Sequence, residues 1–203
     1  LDTPESMPAD MVRVSGSTTT IKAPGLEQFE ALELPDFFVD RHEVTNEQYK
    51  VFVDSGAYGD EECWTKLFVK EGQTLSFTDA MRLFVDNTGR PGPSTWEVGS
   101  YPDGAGQHPV GGISWYEAAA YACFVGKELP TVYHWYAAAD PFSSNFVVPQ
   151  SNYSGKGTAP VGTYKGTSRD GAYDMAGNVR EWTVNQDGEA GYILGGGYND
   201  PEY

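Results

Sequence analysis

Twenty-four glycines and thirteen prolines punctuate this chain, and they decide what it can build. Each proline removes a backbone donor and each glycine loosens the chain, so long helices and wide sheets are cut short before they grow. The expectation is an α+β fold, loop-rich, with short strands, a few short helices and little regular secondary structure. A length of 203 residues bounds about one domain of ordinary size.

Local signals place the helices. Thr45 with Gln48 three residues on is a capping box, and Tyr49, Phe52 and Val53 recur at helical spacing until Gly56. Ser76 with Asp79 opens a second, short helix whose apolar face would hold Ala80, Leu83 and Phe84. Ser114 with Glu117 opens an Ala-rich helix that stops at Gly126, and Thr131 caps another with Trp135, Ala138 and Ala139 facing inward. Residues 11–14 alternate apolar and polar as a short strand does, and 37–39 read the same way. Beyond Asp140 the sequence is loop-rich, with one more apolar stretch at 192–194 before a glycine triplet read as a close-packed bend.

Acids outnumber bases 29 to 13, a formal charge of −16. A polyanion would be repelled, so nucleic-acid binding is excluded. The plain reading of the excess is a solvated surface, and the sharper one is that a few acids ligate a hard cation such as calcium. No apolar run reaches the roughly 18 residues that a membrane-spanning helix needs. Residues 1–10, acidic and Pro-containing, read as a linker or the end of an expressed piece, with the domain running from 11 to 203. Cys63 and Cys123 sit in unrelated contexts and fit no metal-ligand spacing. Two buried thiols are expected, with pairing left open.

The usual catalytic constellations are missing. His42, His108 and His134 are never three or four residues apart, as a helical metal pair requires, and each reads as structural or exposed. There is no G-x-S-x-G elbow, P-loop or dinucleotide fingerprint. Trp96, Tyr101 and Trp182 could line a groove, but aromatics at this density are more often core. The informative segment is 170–183, D-G-A-Y-D-M-A-G-N-V-R-E-W-T. Asp174 and Glu181 bracket a turn containing Gly177 and Asn178, the asparagine suited to left-handed backbone. Calcium takes about six to eight oxygens, mixing carboxylates with carbonyls exposed by tight turns. On spacing alone two readings stay open: a calcium site, or a turn capped by Asp174 with Glu181 paired to Arg180 or Lys165.

Six stretches carry a resemblance: E-V-T-N-E-Q-Y (43–49), P-V-G-G-I-S-W-Y-E-A-A-A-Y (109–121), G-K-E-L-P-T (126–131), A-P-V-G-T-Y (159–164), D-M-A-G-N-V-R-E-W-T (174–183) and G-G-G-Y (195–198). In this order they resemble the signatures of the formylglycine-generating enzyme, or sulfatase-modifying factor, family. The resemblance implies a fold related to C-type lectins and held partly by calcium. It implies one site from the Asp174 side chain, the carbonyls of Gly177 and Val179 and the Glu181 carboxylate. A second site is implied to which only Asn152 carries over, because the loop between Asn152 and Ala159 looks shortened. Family members that oxidise a substrate cysteine use a copper-binding cysteine pair beyond the segment matching 195–197. Cys63 and Cys123 do not match that pair and the sequence given stops at Tyr203, so neither copper nor oxidase activity is expected, and no residue is assigned a catalytic role.

Residues 64–69, 75–84, G-R-P-G-P-S-T-W-E-V-G (89–99) and L-P-T-V-Y-H-W (129–135) are similar to the variant of this domain attached to bacterial serine/threonine protein kinases. His134 stands where that capping box usually has an acid. The expected function is a non-catalytic, calcium-stabilised sensor or ligand-binding domain of a larger bacterial signalling protein. It would be extracytoplasmic, with a kinase domain in the same polypeptide and a protein or small-molecule ligand. Two alternatives follow from the same resemblance: a fragment of a formylglycine-generating oxidoreductase acting on a substrate cysteine, and a lectin-like protein-binding scaffold.

Overall fold

Each ladder among the described residues joins two strands. The computed structural model describes residues 8–201, so the linker expected over 1–10 falls largely outside the described residues. Strand β1 (Met11–Val14) pairs antiparallel with β4 (Phe37–Asp40), β2 (Thr18–Thr19) with β3 (Leu32–Glu33), and β5 (Val69–Lys70) with β6 (Gln73–Thr74). A fourth ladder joins β7 (Glu181–Asp187) to β8 (Ala190–Leu194). The helices are α1 (Asn46–Asp54), α2 (Phe77–Met81), α3 (Trp115–Phe124), α4 (Val132–Ala139) and the single turn α5 (Ser144–Val147), with one-turn 3-10 segments between. This is the loop-rich α+β architecture expected.

The described chain forms two compact units. One comprises the residues up to Glu43, Pro130–Thr183 and the segment from Leu194 on; the other comprises Val44–Leu129 and Val184–Ile193. In the first, Val12 and Val14 of β1 turn inward against Ala138 of α4 and against Ala172 and Met175. Alternation along β1 puts Arg13 on the other face, where it pairs with Asp36. In the second, α1 and α3 bury an aromatic cluster. Trp64 stacks on Phe84 at 5.5 Å, Tyr49 stacks on Tyr121 at 5.1 Å, and Trp96 is 1% exposed with its indole N–H on Asn46 Oδ1 at 3.0 Å. Trp96 is therefore core.

The caps form where the sequence places them. Thr45 and Gln48 close both halves of a capping box at α1, and Ser114 and Glu117 do so at α3. Glu117 does more than cap: one oxygen accepts from Ser114 N–H at 2.7 Å and the other from the Tyr58 hydroxyl at 2.8 Å. Burial raises its carboxyl above the usual range despite these bonds. One expectation fails at α2. That helix ends at Met81, so Leu83 lies beyond the buried face and is 46% exposed, while Ala80 and Phe84 are buried.

The cysteines also differ from expectation. Cys63 and Cys123 are not two thiols but one disulfide, with Cα atoms 5.4 Å apart, well within bonding geometry. Cys63 ends a 3-10 turn, Glu61–Cys63, and Cys123 lies in the last turn of α3. Sequence could not pair them because only the packing of that turn on α3 brings them together. The bond fastens the segment bearing Tyr58 and Trp64 to the helix bearing Glu117.

Loops far from any ladder still need partners for their amides. Asp86 shows how they are met. One oxygen accepts from Thr88 N–H at 2.8 Å, the Thr88 hydroxyl at 2.7 Å and Arg90 N–H at 2.9 Å; the other accepts from Gly99 N–H at 2.7 Å. Burial alone would raise this carboxyl, but the donors from Gly99, Arg90 and Thr88 outweigh it and hold it down to about 2.

Both fastenings can be tested by melting. A disulfide closing a loop of this length contributes about 2–4 kcal/mol, so a reductant or Cys123→Ser should lower the melting temperature by about 5–15 °C, and an unchanged melt would refute the structural role. For Asp86, a folded value of about 2 against an unfolded one near 4 means stability that is complete above about pH 4 and lost as pH falls through 2. Asp86→Asn offers one acceptor to four donors, so it should melt lower at pH 7 and lose that part of the acid dependence. Melts recorded from pH 7 to about pH 2.5 with the same acid slope in both proteins would contradict this.

Candidate functional site

The segment 174–181 is shaped by three left-handed residues in a row of eight: Asp174 at φ 58°, Gly177 at φ 81° and Asn178 at φ 58°. Gly177 is required twice over. Its φ disfavours any side chain, and a Cβ there would lie 2.6 Å from the carbonyl oxygen of Asn152. This close approach is an isolated parallel bridge between Asn152 and Gly177, closed by Asn178 N–H donating to Asn152 O at 3.0 Å. The glycine triplet packs as tightly. Gly177 N–H donates to Gly195 O at 2.9 Å, and a Cβ on Gly196 would lie 2.8 Å from the Tyr153 hydroxyl.

Around this turn the structure gathers acids. Asp174 is buried and accepts from Gly162 N–H at 2.7 Å through Oδ2. Glu181, at the head of β7, accepts from the Trp135 indole through Oε2. Their other oxygens, Oδ1 and Oε1, take no hydrogen bond among the described residues, and the Gly177 and Val179 carbonyls accept none from the surrounding turns and loops. Since no fully buried side-chain polar atom among the described residues lacks a partner, Oδ1 and Oε1 retain some access to solvent. Two carboxylate and two carbonyl oxygens are thus uncommitted within one short segment. No three His, Cys, Asp or Glu side chains converge as a metal cluster among the described residues. The four uncommitted atoms are all oxygens, a donor chemistry that suits a hard cation such as calcium. All four atoms named from the sequence resemblance fit that chemistry.

Asn152 behaves differently. Its Oδ1 accepts from the Ser154 hydroxyl at 2.9 Å, and its Nδ2 donates to Gly157 O and to Asn178 Oδ1, both at 3.0 Å. It is a hub of hydrogen bonds between the 152–159 loop and the 174–181 turn.

Sequence reasoning missed Glu43. It lies 8% exposed ahead of α1, with Oε1 accepting from Val179 N–H at 3.0 Å and Oε2 from Asn178 Nδ2 at 2.6 Å. Burial, and then the charge of Glu181, push its carboxyl up to about 9 against the pull of Val179 N–H; Asp174 adds to the rise. Burial likewise pushes Glu181 up to about 7, with the Trp135 indole opposing and Asp174 contributing. Asp174 is raised by burial, with Gly162 N–H and His42 acting to lower it. His42 lies against Tyr173, ring centroids 5.0 Å apart. The three acids resist ionisation together, and a bound cation would relieve the cost of charging them.

Comparison with known proteins agrees with this architecture. Residues 2–200 match the family model described as "Sulfatase-modifying factor enzyme 1-like domain", and the chain belongs to that family. It is 32% identical over 159 residues to the serine/threonine-protein kinase Pkn1 of Chlamydia trachomatis serovar L2, a match that covers 74% of this chain and 23% of the kinase. The formylglycine-generating enzyme of Thermomonospora curvata is 28% identical over 227 residues, 90% of this chain and 73% of that enzyme. The hercynine oxygenase of Mycobacterium tuberculosis is 31% identical over 169 residues, 76% of this chain and 39% of that protein. The chain thus spans about a quarter of the Pkn1 kinase it matches. The crystal structure of CarF shares the fold at a TM-score of 0.58 and 22% identity, covering 94% of this chain and 87% of CarF.

If the four uncommitted oxygens bind calcium, the ion stabilises the folded state by mass action. A chelator should then lower the melting temperature and added calcium restore it, while Glu181→Gln should lose most of that response. An equal calcium response in the variant would remove Glu181 from the site.

Proposed function

We propose that this chain is a non-catalytic, calcium-stabilised sensor or ligand-binding domain of a larger, kinase-linked signalling protein. One observation carries the non-catalytic part. Both cysteines of the chain are joined in the Cys63–Cys123 bond, so neither presents the thiolate pair that monovalent copper requires. The calcium part is supported by the uncommitted oxygens of Asp174, Gly177, Val179 and Glu181, with Asn152 holding the neighbouring loop against them.

Kinase linkage is supported by the Pkn1 relatives, in which the matching part is a minor share of a longer protein. A disulfide forms and persists in oxidising surroundings, which supports an extracytoplasmic setting for the domain. No helix among the described residues is long and apolar enough to cross a membrane.

A second reading, a formylglycine-generating oxidoreductase acting on a substrate cysteine, is favoured by the match to the Thermomonospora enzyme over 90% of this chain. The two readings separate in one assay. The purified chain, incubated with copper, oxygen and a cysteine-containing peptide, should yield no aldehyde above a protein-free control. Aldehyde formation that disappears in Cys63→Ser or Cys123→Ser would establish the oxidoreductase instead.

A further inference from the structure

Glu43 sits in the middle of a hydrogen-bond chain whose direction is fixed at both ends. Ala159 N–H can only donate, and it points at Asn178 Oδ1 at 2.9 Å. That assigns the Asn178 amide: Nδ2 faces the other way, toward Glu43 Oε2 at 2.6 Å and Ala159 O at 3.3 Å. Val179 N–H, also donor-only, points at Glu43 Oε1 at 3.0 Å. The residue at position 43 must therefore present two acceptors at once. A carboxyl group offers an acceptor on each oxygen; a glutamine, with one acceptor and one donor, cannot.

The consequence falls on the backbone between Gly177 and Val179. In a trans peptide the N–H and C=O point in opposite directions. Asn178 N–H is held by Asn152 O, which turns the Gly177 carbonyl away from Asn152. Val179 N–H is held by Glu43, and the carbonyl of that same peptide, Asn178 O, accepts from Tyr198 N–H at 2.8 Å. The peptide that carries the Gly177 carbonyl is thus pinned by Asn152, and the next one, which leads the backbone on to Val179, is pinned by Glu43 on one side and Tyr198 on the other.

We propose that Glu43 is the positioning residue of the 174–181 turn, accepting from Val179 and Asn178 together so that the Gly177 and Val179 carbonyls keep the arrangement that binds a divalent cation. The proposal rests on the calcium reading for what the turn binds, and on geometry alone for what Glu43 holds. Loss of a partner that orients ligands commonly weakens metal affinity by about 10–100-fold.

The chain's polarity supplies a rescue. When Glu43→Gln is combined with Asn178→Asp, the new glutamine can accept from Val179 N–H and donate to the new carboxylate. That carboxylate still accepts from Ala159 N–H and from the Asn152 amide.

Calorimetric titration of calcium chloride into the wild-type chain, Glu43→Gln, Glu43→Asp and the double variant tests this. Glu43→Gln should weaken binding by about tenfold or more. Glu43→Asp keeps the carboxyl group but is too short to reach both donors, so it should weaken binding as well. The double variant should recover most of the loss. Glu43→Asp binding as tightly as wild type, or a double variant no better than Glu43→Gln, would overturn the positioning role. If the wild type itself takes up no calcium, the calcium reading falls, and Glu43 is judged separately by amide hydrogen exchange at Val179. Faster exchange in Glu43→Gln that slows again in the double variant supports the role, and unchanged exchange overturns it. Should Glu43→Gln fail to fold, recovery of the fold in the double variant supports the polarity argument, and continued failure refutes it.

Discussion

The hydrogen bond from a loop amide to a side-chain carboxylate is the interaction on which this molecule depends. A chain cut by so many glycines and prolines leaves most of its N–H groups outside any ladder, and each one buried without a partner would be costly. Here glycine amides repeatedly end on carboxylates: Gly16 on Asp36, Gly72 on Glu189, Gly99 on Asp86, Gly162 on Asp174 and Gly197 on Asp200. The glycine supplies the left-handed or crowded turn, and the acid accepts the amide that the turn leaves over. This gives part of the −16 charge a structural task. Several acids replace the sheet partners that the chain cannot assemble.

The same device organises the second unit. Its aromatic cluster is the largest apolar feature described, yet it is held by polar fastenings. Glu117 ties Tyr58 to the first turn of α3, Tyr58 reaches the Tyr49 hydroxyl at 3.0 Å, and the Cys63–Cys123 bond holds the other end of that segment to the last turn of the same helix. Capping and core packing are joined here. The residue that caps α3 is also the one that anchors a tyrosine of the cluster.

What could be read from the sequence was what is local in the sequence. Both capping boxes span four residues and need nothing but their own helix, so they formed as read. The left-handed Asn178 and the crowded glycine triplet were legible for the same reason, as was the turn of Gly177 and Asn178 bracketed by Asp174 and Glu181. Glu43 was not legible, because its partners lie 135 and 136 residues away. The disulfide was hidden likewise by a separation of 60 residues, and Leu83 was misplaced because helical spacing was carried past the point where α2 stops.

Two kinds of buried acid then show why the 174–181 turn differs from the rest of the scaffold. Asp86 meets four donors from its own loop, and both its oxygens are used. It completes a turn and has nothing left to offer. Asp174 and Glu181 each meet one donor, through one oxygen, while two carbonyls nearby are equally uncommitted. Glu43 stands between these cases: both its oxygens are used, but on the turn itself and not on its own loop. The segment keeps acceptors over while the buried Glu43 carboxyl holds it in shape. Surplus oxygen acceptors on a pinned backbone are the donor set that the proposed cation would take, and its charge would offset those of Asp174 and Glu181.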